Sequence, residues 1–325
     1  MELLFPENFI SGSIKNDKEF EDALVQYPNF SRAYIAIALG KPDLRKWYED
    51  KWPQLYKYLD RDFVSRFQNE QEHLSREWEF HLASVLLDRG ITLKEKNWET
   101  GPDFCIEINT GKKIWVEAIA CDLGEKDKDP VEPMPTMKPG VLYSFGGNIE
   151  ETDRPRALRI TSAIATKFEK YKSYLSNLKS GVSEDDCLVI AVNGEAIQHF
   201  SVPRMLLKRA VFGQGPDVLI KKPGLEKLQG GYYKPLLTIV KKIRDKEEII
   251  PANFMEIEEF SKISAVIYSG NSISHSWLNG YTPGDDFLFA YHSNPNNPIP
   301  DGLFKFGRSV RKNRENGAIE DKQQS

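Results

Sequence analysis

The sequence alternates between segments of helical periodicity and short apolar runs with the length of a β-strand. Residues 69–88 carry an apolar stripe at helical spacing, and Gly90 follows them, which predicts a helix that ends there. The stripe consists of Leu74, Trp78, Leu82, Val85 and Leu86. A second helix is predicted over residues 155–179. Strands are predicted for the apolar runs at residues 104–108, 113–120, 187–194, 263–269 and 286–292.

These elements predict an α/β fold in which helices flank a central mixed β-sheet. Residues 1–68 have helical and irregular patterns and form a predicted helical N-terminal region, to which we assign no chemistry. The α/β domain is predicted to span residues 69–309. Residues 310–325 are charged and polar, which predicts a disordered tail. Residues 122–157 are rich in proline, glycine and acidic residues, which predicts a long loop.

A tight β-hairpin is predicted around residue 110, where an Asn-Thr-Gly sequence joins two apolar runs. With the turn centred on this residue, Cys105 faces Trp115. Glu107 faces Lys113 in the same register, and this opposite-charge pair favours the register.

Asp103 and Glu117 face each other in this hairpin. Side chains directly opposite each other lie about 5 Å apart, so these two carboxylates could share one divalent cation. The simpler interpretation makes Asp103 a turn residue after Pro102 and Glu117 an exposed strand residue. A nearly continuous apolar strand surrounds Glu117, however, and a carboxylate inside such a strand is costly unless something neutralises it.

The second predicted helix has one lysine, Lys167, within its apolar face. The other members of this face are Ile160, Ile164, Tyr171, Tyr174 and Leu178. Such a lysine either reaches solvent along the surface or has an anionic partner, and the carboxylate pair is a candidate partner. On the first helix, Glu79 lies at the edge of the apolar stripe, from which it could reach the same site.

Composition limits the classes of function. The chain has 325 residues, of which 40% are hydrophobic and 28% charged. No apolar stretch has the length of a membrane helix, so we expect no membrane partner. The first residues lack the features of a signal peptide. The three cysteines lack metal-site spacing and lie in or beside apolar runs, which predicts buried free thiols and a cytoplasmic location.

The net charge of −4 conceals a basic middle third. Residues 154–246 carry a net charge of +10, whereas residues 1–153 carry −10 and residues 247–325 carry −4. A basic middle third is typical of a phosphate-binding surface, although solvated helix faces have the same composition. The five histidines have no metal-site spacing, and we predict structural roles for them. They are His73, His81, His199, His275 and His292.

The order of the candidate residues resembles that of the PD-(D/E)xK phosphodiesterases, a superfamily that includes restriction endonucleases and many repair and phage nucleases. The resemblance covers residues 70–195. It consists of a helix with Glu79, then Pro102-Asp103, then a strand with Glu117, then a second helix. It implies a restriction endonuclease-like core and one or two Mg²⁺ ions (or Mn²⁺) held by the three carboxylates. In that family a lysine activates or positions the attacking water.

The sequence departs from the family at the position of this lysine, where Ile119 stands two residues after Glu117. Some members supply the lysine from the following helix. Lys167, with Tyr171 four residues later, resembles the helical QxxxY arrangement of one nuclease branch, and this implies a relocated lysine. The implied catalytic residues are Glu79, Asp103, Glu117 and Lys167.

The resemblance implies a metal-dependent nuclease that hydrolyses phosphodiester bonds. Its expected partner is nucleic acid, with DNA favoured, and a role in restriction or phage defence is implied by resemblance alone. A homodimer is compatible with the sequence. Two alternatives remain open. One is a catalytically inactive nucleic-acid-binding protein of the same fold, because the usual strand lysine is missing. The other is an unrelated α/β interaction protein with incidental carboxylates.

Overall fold

The computed structural model describes residues 3–10, 12–108, 111–124, 131, 149–197, 203–220, 229–235, 237–243, 246–271, 273 and 282–324. The helices are α1 (Glu7–Ile10), α2 (Asp17–Gln26), α3 (Arg32–Gly40), α4 (Pro42–Leu55), α5 (Phe63–Gln68), α6 (His73–Asp88), α7 (Ile149–Leu175) and α8 (Pro203–Phe212). The strands are β1 (Phe104–Glu107), β2 (Lys113–Ala120), β3 (Cys187–Asn193), β4 (Gln214–Ile220), β5 (Gln229–Pro235), β6 (Thr238–Ile243), β7 (Lys246–Pro251), β8 (Ile263–Ser269), β9 (Leu288–Tyr291), β10 (Arg308–Lys312) and β11 (Ile319–Gln323).

Seven strands form one mixed sheet in the order β1-β2-β3-β8-β9-β10-β11, and β4-β5 and β6-β7 form two separate pairs. β2, β3 and β8 are parallel neighbours, whereas β1 runs antiparallel to β2 and β9 antiparallel to β8. The connection from β2 to β3 contains α7, because parallel neighbours need a crossover. Every residue of β3 is buried, as expected of a strand covered on both faces. The predicted α/β fold with a central mixed sheet and flanking helices is confirmed.

Two hydrophobic clusters cover the two faces of the sheet. Phe104 and Val116 belong to the cluster that contains α6 and the N-terminal helices. Cys105 and Trp115 belong to the cluster that contains α7 and α8. This division follows from the alternation of side chains along a strand. The first cluster is continuous across the predicted domain boundary after residue 68, because it joins N-terminal side chains to the sheet.

The β1-β2 hairpin has the predicted register, with Glu107 opposite Lys113. Glu107 forms its ion pair with a different lysine from the predicted one. Its carboxylate lies 2.7 Å from Nζ of Lys94. Lys94 lies in the segment that leads into the hairpin, and its backbone N–H donates a hydrogen bond to the carbonyl of Cys105. The predicted turn at residues 109 and 110 lies outside the described residues.

Helix α7 begins before the predicted start and ends before the predicted end. Pro155 lies inside the helix, so the last part of the predicted loop at residues 122–157 is helical. Residues 125–130 and 132–148 of that loop lie outside the described part of the chain. After α7 the chain forms a 3-10 turn at Leu178–Ser180 and continues into Gly181 with a φ of 70°. Leu178 is therefore fully exposed and is not part of the apolar face to which it was assigned.

The prediction that residues 310–325 form a disordered tail is wrong for most of this segment. β10 pairs with β9, and β11 pairs with β10 at the edge of the sheet. Arg308 lies 2.5 Å from Asp321 across these two strands. In β10 and β11, Val310 is the one fully buried residue. Edge strands tolerate charged side chains, so their sequence lacks the apolar alternation that identifies a strand.

None of the helices in the described ranges combines the length and the apolar character needed to cross a bilayer.

Candidate functional site

Glu117 lies in the middle of β2, and no part of it is exposed to solvent. Side chains of α7 surround its carboxylate. The Tyr174 hydroxyl donates a hydrogen bond of 2.8 Å to Oε1, and the ammonium of Lys167 donates one to Oε2. Lys170 Nζ lies 3.2 Å from both carboxylate oxygens. A buried carboxylate needs partners of this kind, because removal from water without them is costly.

Lys167 connects Glu117 to Asp103. Its Nζ atom contacts Glu117 and lies 3.8 Å from Oδ2 of Asp103, which directly precedes β1. The same Oδ2 atom accepts a hydrogen bond of 2.7 Å from the backbone N–H of Ala118, which ties the start of β1 to β2. The prediction that Lys167 points inward to both carboxylates is confirmed.

Glu79 of α6 and Asp60 form a second acidic group beside Asp103. Nη1 of Arg76 donates to Oε2 of Glu79 over 2.7 Å and to Oδ2 of Asp60 over 3.3 Å. Lys96 Nζ lies 2.5 Å from Oδ1 of Asp60. Glu79 is buried within the protein, with 3% exposure, although the sequence placed it at a boundary. Asp60 lies between α4 and α5, in the N-terminal region to which the sequence assigned no chemistry.

Carboxylate oxygens of Asp60, Glu79 and Asp103 all lie within 4.8 Å of one another. Three oxygen donors at this spacing could hold one metal ion. Glu117 does not belong to this group of three. The predicted ligand set of Glu79, Asp103 and Glu117 is therefore only partly reproduced, since Asp60 takes the third position and Glu117 reaches Asp103 through the Lys167 ammonium.

Burial and repulsion between neighbouring acids raise the pKa of two of these carboxyl groups. For Glu79, burial and the charge of Asp103 outweigh Arg76 and hold the pKa well above its ordinary value. For Glu117, burial and Asp103 outweigh Lys167 and Lys170, so its pKa is raised too. Such strongly perturbed acids are a frequent feature of functional sites.

The pKa of Lys167 is also raised. Burial lowers it, but the charges of Asp103 and Glu117 more than compensate for that effect. Lys167 therefore stays charged at neutral pH. The site holds a fixed ammonium group beside acids that bind protons more readily than exposed carboxylates do.

Three contributors to the site were missed in the sequence. The apolar pattern places Lys170 outside the apolar face of α7, but residues three apart on a helix are neighbours and a lysine side chain is long enough to reach Glu117. The pattern treats Tyr174 as an apolar residue, but its hydroxyl donates a hydrogen bond to Glu117. Asp60 gave no signal, because only the packing of residues 1–68 on the rest of the fold brings it to Asp103.

Tyr171 positions α7 rather than Lys167 itself. Its hydroxyl lies 2.9 Å from the carbonyl oxygen of Trp115 and 2.6 Å from that of Val189. These contacts attach the helix to β2 and β3. Ile119, at the position where the PD-(D/E)xK pattern has its lysine, is a half-buried residue that packs against the hydrophobic cluster beneath α7.

A cavity of about 510 Å³ adjoins the acidic group, and Asp60 forms part of its wall. The other charged and aromatic side chains of the wall are Arg61, Asp62, Arg66, Lys96, Trp98 and Glu99. The indole N–H of Trp98 donates a hydrogen bond of 2.8 Å to the carbonyl of Pro102, next to Asp103. The Trp98 ring also meets that of Trp115 edge-on, with centroids 5.3 Å apart. Trp98 is therefore a fixed aromatic surface beside the acidic group.

The structural role predicted for the histidines agrees with the contacts of those that are described. His73 Nδ1 lies 2.6 Å from the carbonyl oxygen of Phe67, and His292 Nδ1 accepts a hydrogen bond from the backbone N–H of Asn294. Burial lowers the pKa of His81 to about 3, so this residue stays neutral. His199 and His275 lie outside the described residues.

The cysteines are buried, and part of the basic region forms contacts inside the protein. Cys105, Cys121 and Cys187 are buried free thiols, as predicted. Arg209 pairs with Asp153, and Arg156 donates to the carbonyl of Ile197 over 2.9 Å. The positive charge of residues 154–246 therefore serves internal contacts in part, and residues 198–202 and 221–228 of this region are not described.

In comparisons with known proteins, the chain matches no family model, no curated protein and no solved structure.

Proposed function

We propose that the protein is a metal-dependent nuclease that hydrolyses phosphodiester bonds, with DNA as the expected substrate and Mg²⁺ or Mn²⁺ as the cofactor. The observation that carries this proposal is the convergence of Lys167 on Asp103 and Glu117 inside the fold. Buried ion pairs contribute little to stability, because desolvation offsets their attraction. A buried amine beside a three-carboxylate group is therefore better explained by chemistry than by folding.

Asp60, Glu79 and Asp103 are the residues that would hold the cation, since their oxygens already lie close together. A bound Mg²⁺ ion supplies neutralising charge for a phosphate and lowers the pKa of a coordinated water. Glu117 lies next to this group and would bind the cation or orient its water. Both roles require ionised carboxylates. A bound cation favours the ionised form and would therefore lower the pKa of Glu79 and Glu117.

Lys167 provides a fixed positive charge for the scissile phosphate or for the attacking water. Its place on α7 compensates for Ile119, because its Nζ atom occupies the space beside Glu117. Lys170 has a side chain with 44% exposure and can turn from Glu117 to a phosphate group of the substrate. Arrangements of this kind lower a barrier by placing charge where it develops.

The cavity beside Asp60 is a suitable path for the substrate. Arg61 lines this cavity at an exposed position, and Trp98 offers a ring on which a base can stack. Arg66 and Lys96 also line it, and each would exchange a carboxylate partner, Glu72 or Asp60, for a phosphate group. The resemblance to the PD-(D/E)xK superfamily agrees with the observed order of α6, the β1-β2 hairpin, α7 and β3, and supports a restriction endonuclease-like core within this proposal.

A second candidate function is a catalytically inactive nucleic-acid-binding protein. It is favoured by the basic side chains that already neutralise the carboxylates of the site, where a metal ion would otherwise bind. Arg76 contacts both Glu79 and Asp60, and Lys167 and Lys170 neutralise Glu117. In that case the site would bind phosphate groups without cleaving them.

A cleavage assay separates these candidates. Labelled double-stranded DNA, single-stranded DNA and RNA are incubated with the protein in Mg²⁺, Mn²⁺ or EDTA, and binding is measured in parallel. We expect metal-dependent cleavage of at least one substrate. Lys167→Ala should lower the rate about 100-fold, as the loss of one stabilising charge does in other enzymes.

The matched control is Lys179→Ala, which removes an exposed lysine beyond the end of α7 and should leave the rate unchanged. Binding by the unaltered protein without cleavage would support the inactive candidate. If the protein neither binds nor cleaves any of the three nucleic acids, both candidates are wrong.

A further inference from the structure

A second cavity, of about 240 Å³, lies where β8 begins and where β9 and β10 end. In the order of the sheet, β2 and β3 separate these strands from β1 and Asp103. Its polar and aromatic lining includes Ser264, Tyr291, Ser293, Arg311, Lys312 and Arg314. The three cations belong to the segment for which the sequence predicts a disordered tail.

The lining of this cavity is cationic. Arg311, Lys312 and Arg314 line it, and no acidic side chain from the described ranges does. The ammonium of Lys312 lies 2.6 Å from Oε2 of Glu256, which neutralises its charge. The two arginines retain their charge. The acidic contact of Arg311 is a long one, 3.9 Å to the almost fully exposed Asp301, and a pair of this kind is weak.

The two guanidinium groups are held in place by neighbours that do not cancel their charge. The guanidinium carbon of Arg311 lies 4.0 Å from the centre of the Tyr291 ring. Stacking of this type fixes the plane of the group and does not cancel its charge. Nη2 of Arg314 donates a hydrogen bond of 2.5 Å to the carbonyl of Ser293, so its position is fixed as well.

A buried hydroxyl in the lining lacks a partner. Ser293 Oγ is inaccessible to water, and the described part of the chain offers it no hydrogen-bond partner. Leaving such a group unpaired costs free energy, and it therefore needs an explanation. An anion in the cavity would accept hydrogen bonds from the two arginines, and Ser293 Oγ, which is closed to solvent, would reach it only after rotation of its side chain.

We propose that this cavity binds the phosphate group of a small phosphomonoester. Arginine presents a planar set of donors that matches phosphate oxygens, which favours phosphate over a simple halide. The volume exceeds that of a phosphate group alone, so part of the attached molecule fits inside as well. This site is independent of the proposed nuclease function, because it shares no residue with the carboxylates or with Lys167.

The test is calorimetric titration of the full chain in EDTA with inorganic phosphate, a nucleoside 5′-monophosphate, the unphosphorylated nucleoside and an oligonucleotide without terminal phosphates. We expect both phosphate and the monophosphate to bind and the nucleoside not to bind. The Arg311→Gln, Arg314→Gln double variant should bind the monophosphate at least about tenfold more weakly, because two charge-assisted hydrogen bonds are lost.

Two controls use residues outside the cavity. Lys305→Gln removes an exposed charge from the neighbouring segment, and Lys179→Ala removes an exposed lysine beyond the end of α7, so both should keep full affinity. The single variants Arg311→Gln and Arg314→Gln serve as further tests if the double variant folds poorly, and each should weaken binding. The proposal is overturned if the protein binds no phosphate, if nucleoside and monophosphate bind equally, if only the oligonucleotide binds, or if the arginine variants keep full affinity.

Discussion

Among the described residues, four carboxylates and five cations meet at the candidate site, and their exposure decides which pairs can rearrange. The carboxylates are Asp60, Glu79, Asp103 and Glu117, and the cations are Arg66, Arg76, Lys96, Lys167 and Lys170. The side chain of Lys167 has 13% exposure, whereas that of Lys170 has 44%. Lys170 can therefore leave Glu117 at low cost, since exposed pairs contribute little. Lys167 cannot leave without isolating a buried charge.

Replacement of Lys170 tests whether this lysine competes with a bound cation. In Lys170→Ala the negative potential at Glu117 and Asp103 increases, so we expect Mn²⁺ to bind about two- to fivefold more tightly, which corresponds to the worth of an exposed ion pair. Calorimetric titration with Mn²⁺ measures this change. Lys172→Ala is the control, because Lys172 pairs with Glu169 on the outer face of α7. Unchanged or weaker Mn²⁺ binding in Lys170→Ala would contradict the competition.

Glu79 should limit the stability of the protein at alkaline pH when no metal is bound. Its pKa is raised by burial and by Asp103, so the folded protein loses stability as the pH rises through that value. Glu79→Gln imitates the protonated form and removes this loss. In EDTA, we expect the melting temperature of the variant to exceed that of the unaltered protein at pH 8 and to approach it at pH 5. Glu99→Gln, at an exposed position, should not change the melting temperature at either pH. A larger loss of stability for Glu79→Gln at pH 8 than at pH 5 would reverse the sign of this argument.

At the scale of elements, the sequence predicts those strands and helices whose pattern is set by burial. The run that forms β3 is apolar because both faces of the strand are covered. The register of β1 and β2 is the one predicted from the sequence. β10 and β11 cannot be predicted from an apolar pattern, because strands at the edge of a sheet keep charged side chains in contact with water. Their pairing depends on contacts such as that of Arg308 with Asp321, which no local pattern reveals.

Asp321 should therefore stabilise the edge of the sheet in a pH-dependent way. Burial raises its pKa, but Arg308, Lys208 and Arg204 outweigh burial, and the pKa is lowered. A lowered pKa contributes stability above the pKa of the unfolded chain, and this contribution is lost as the pH falls below about 4. We expect Asp321→Asn to lower the melting temperature at pH 7 and to have little effect at pH 3. Glu315→Gln, at an exposed position in the turn between β10 and β11, is the control. An equal effect of Asp321→Asn at both pH values would exclude an electrostatic origin.

At the scale of the whole molecule, the site is assembled from parts of the chain that lie far apart in sequence. The hairpin supplies Asp103 and Glu117, and helical periodicity identifies Lys167, so these three could be found from the sequence. Asp60 could not, because its contact with Asp103 depends on how the N-terminal helices pack against α6. The second cavity could not be predicted either, because its arginines lie in β10 and in the turn that follows it, and these segments have no apolar pattern.

The cavity beside Asp60 predicts a preference for unpaired bases. Trp98 is held by its hydrogen bond to Pro102 and offers its ring to the cavity. Loss of a stacking surface costs about 1–3 kcal/mol per base, so Trp98→Ala should weaken single-stranded DNA binding about tenfold in EDTA. Trp98→Phe should retain most of the affinity. Fluorescence anisotropy with a labelled oligonucleotide measures both variants, and equal affinity of Trp98→Ala and the unaltered protein would remove Trp98 from the substrate path.

The most direct test of a metal-dependent nuclease site is the single-turnover cleavage rate of labelled DNA as a function of Mn²⁺ concentration for the unaltered protein and Asp103→Asn. Asparagine can still accept the hydrogen bond from Ala118, so the fold should be kept, which the melting temperature verifies. We expect Mn²⁺-dependent cleavage by the unaltered protein and a rate at least about 100-fold lower in the variant. Equal rates for the two proteins, or cleavage that persists in EDTA, would contradict the assignment of Asp103 and its neighbours as the catalytic centre.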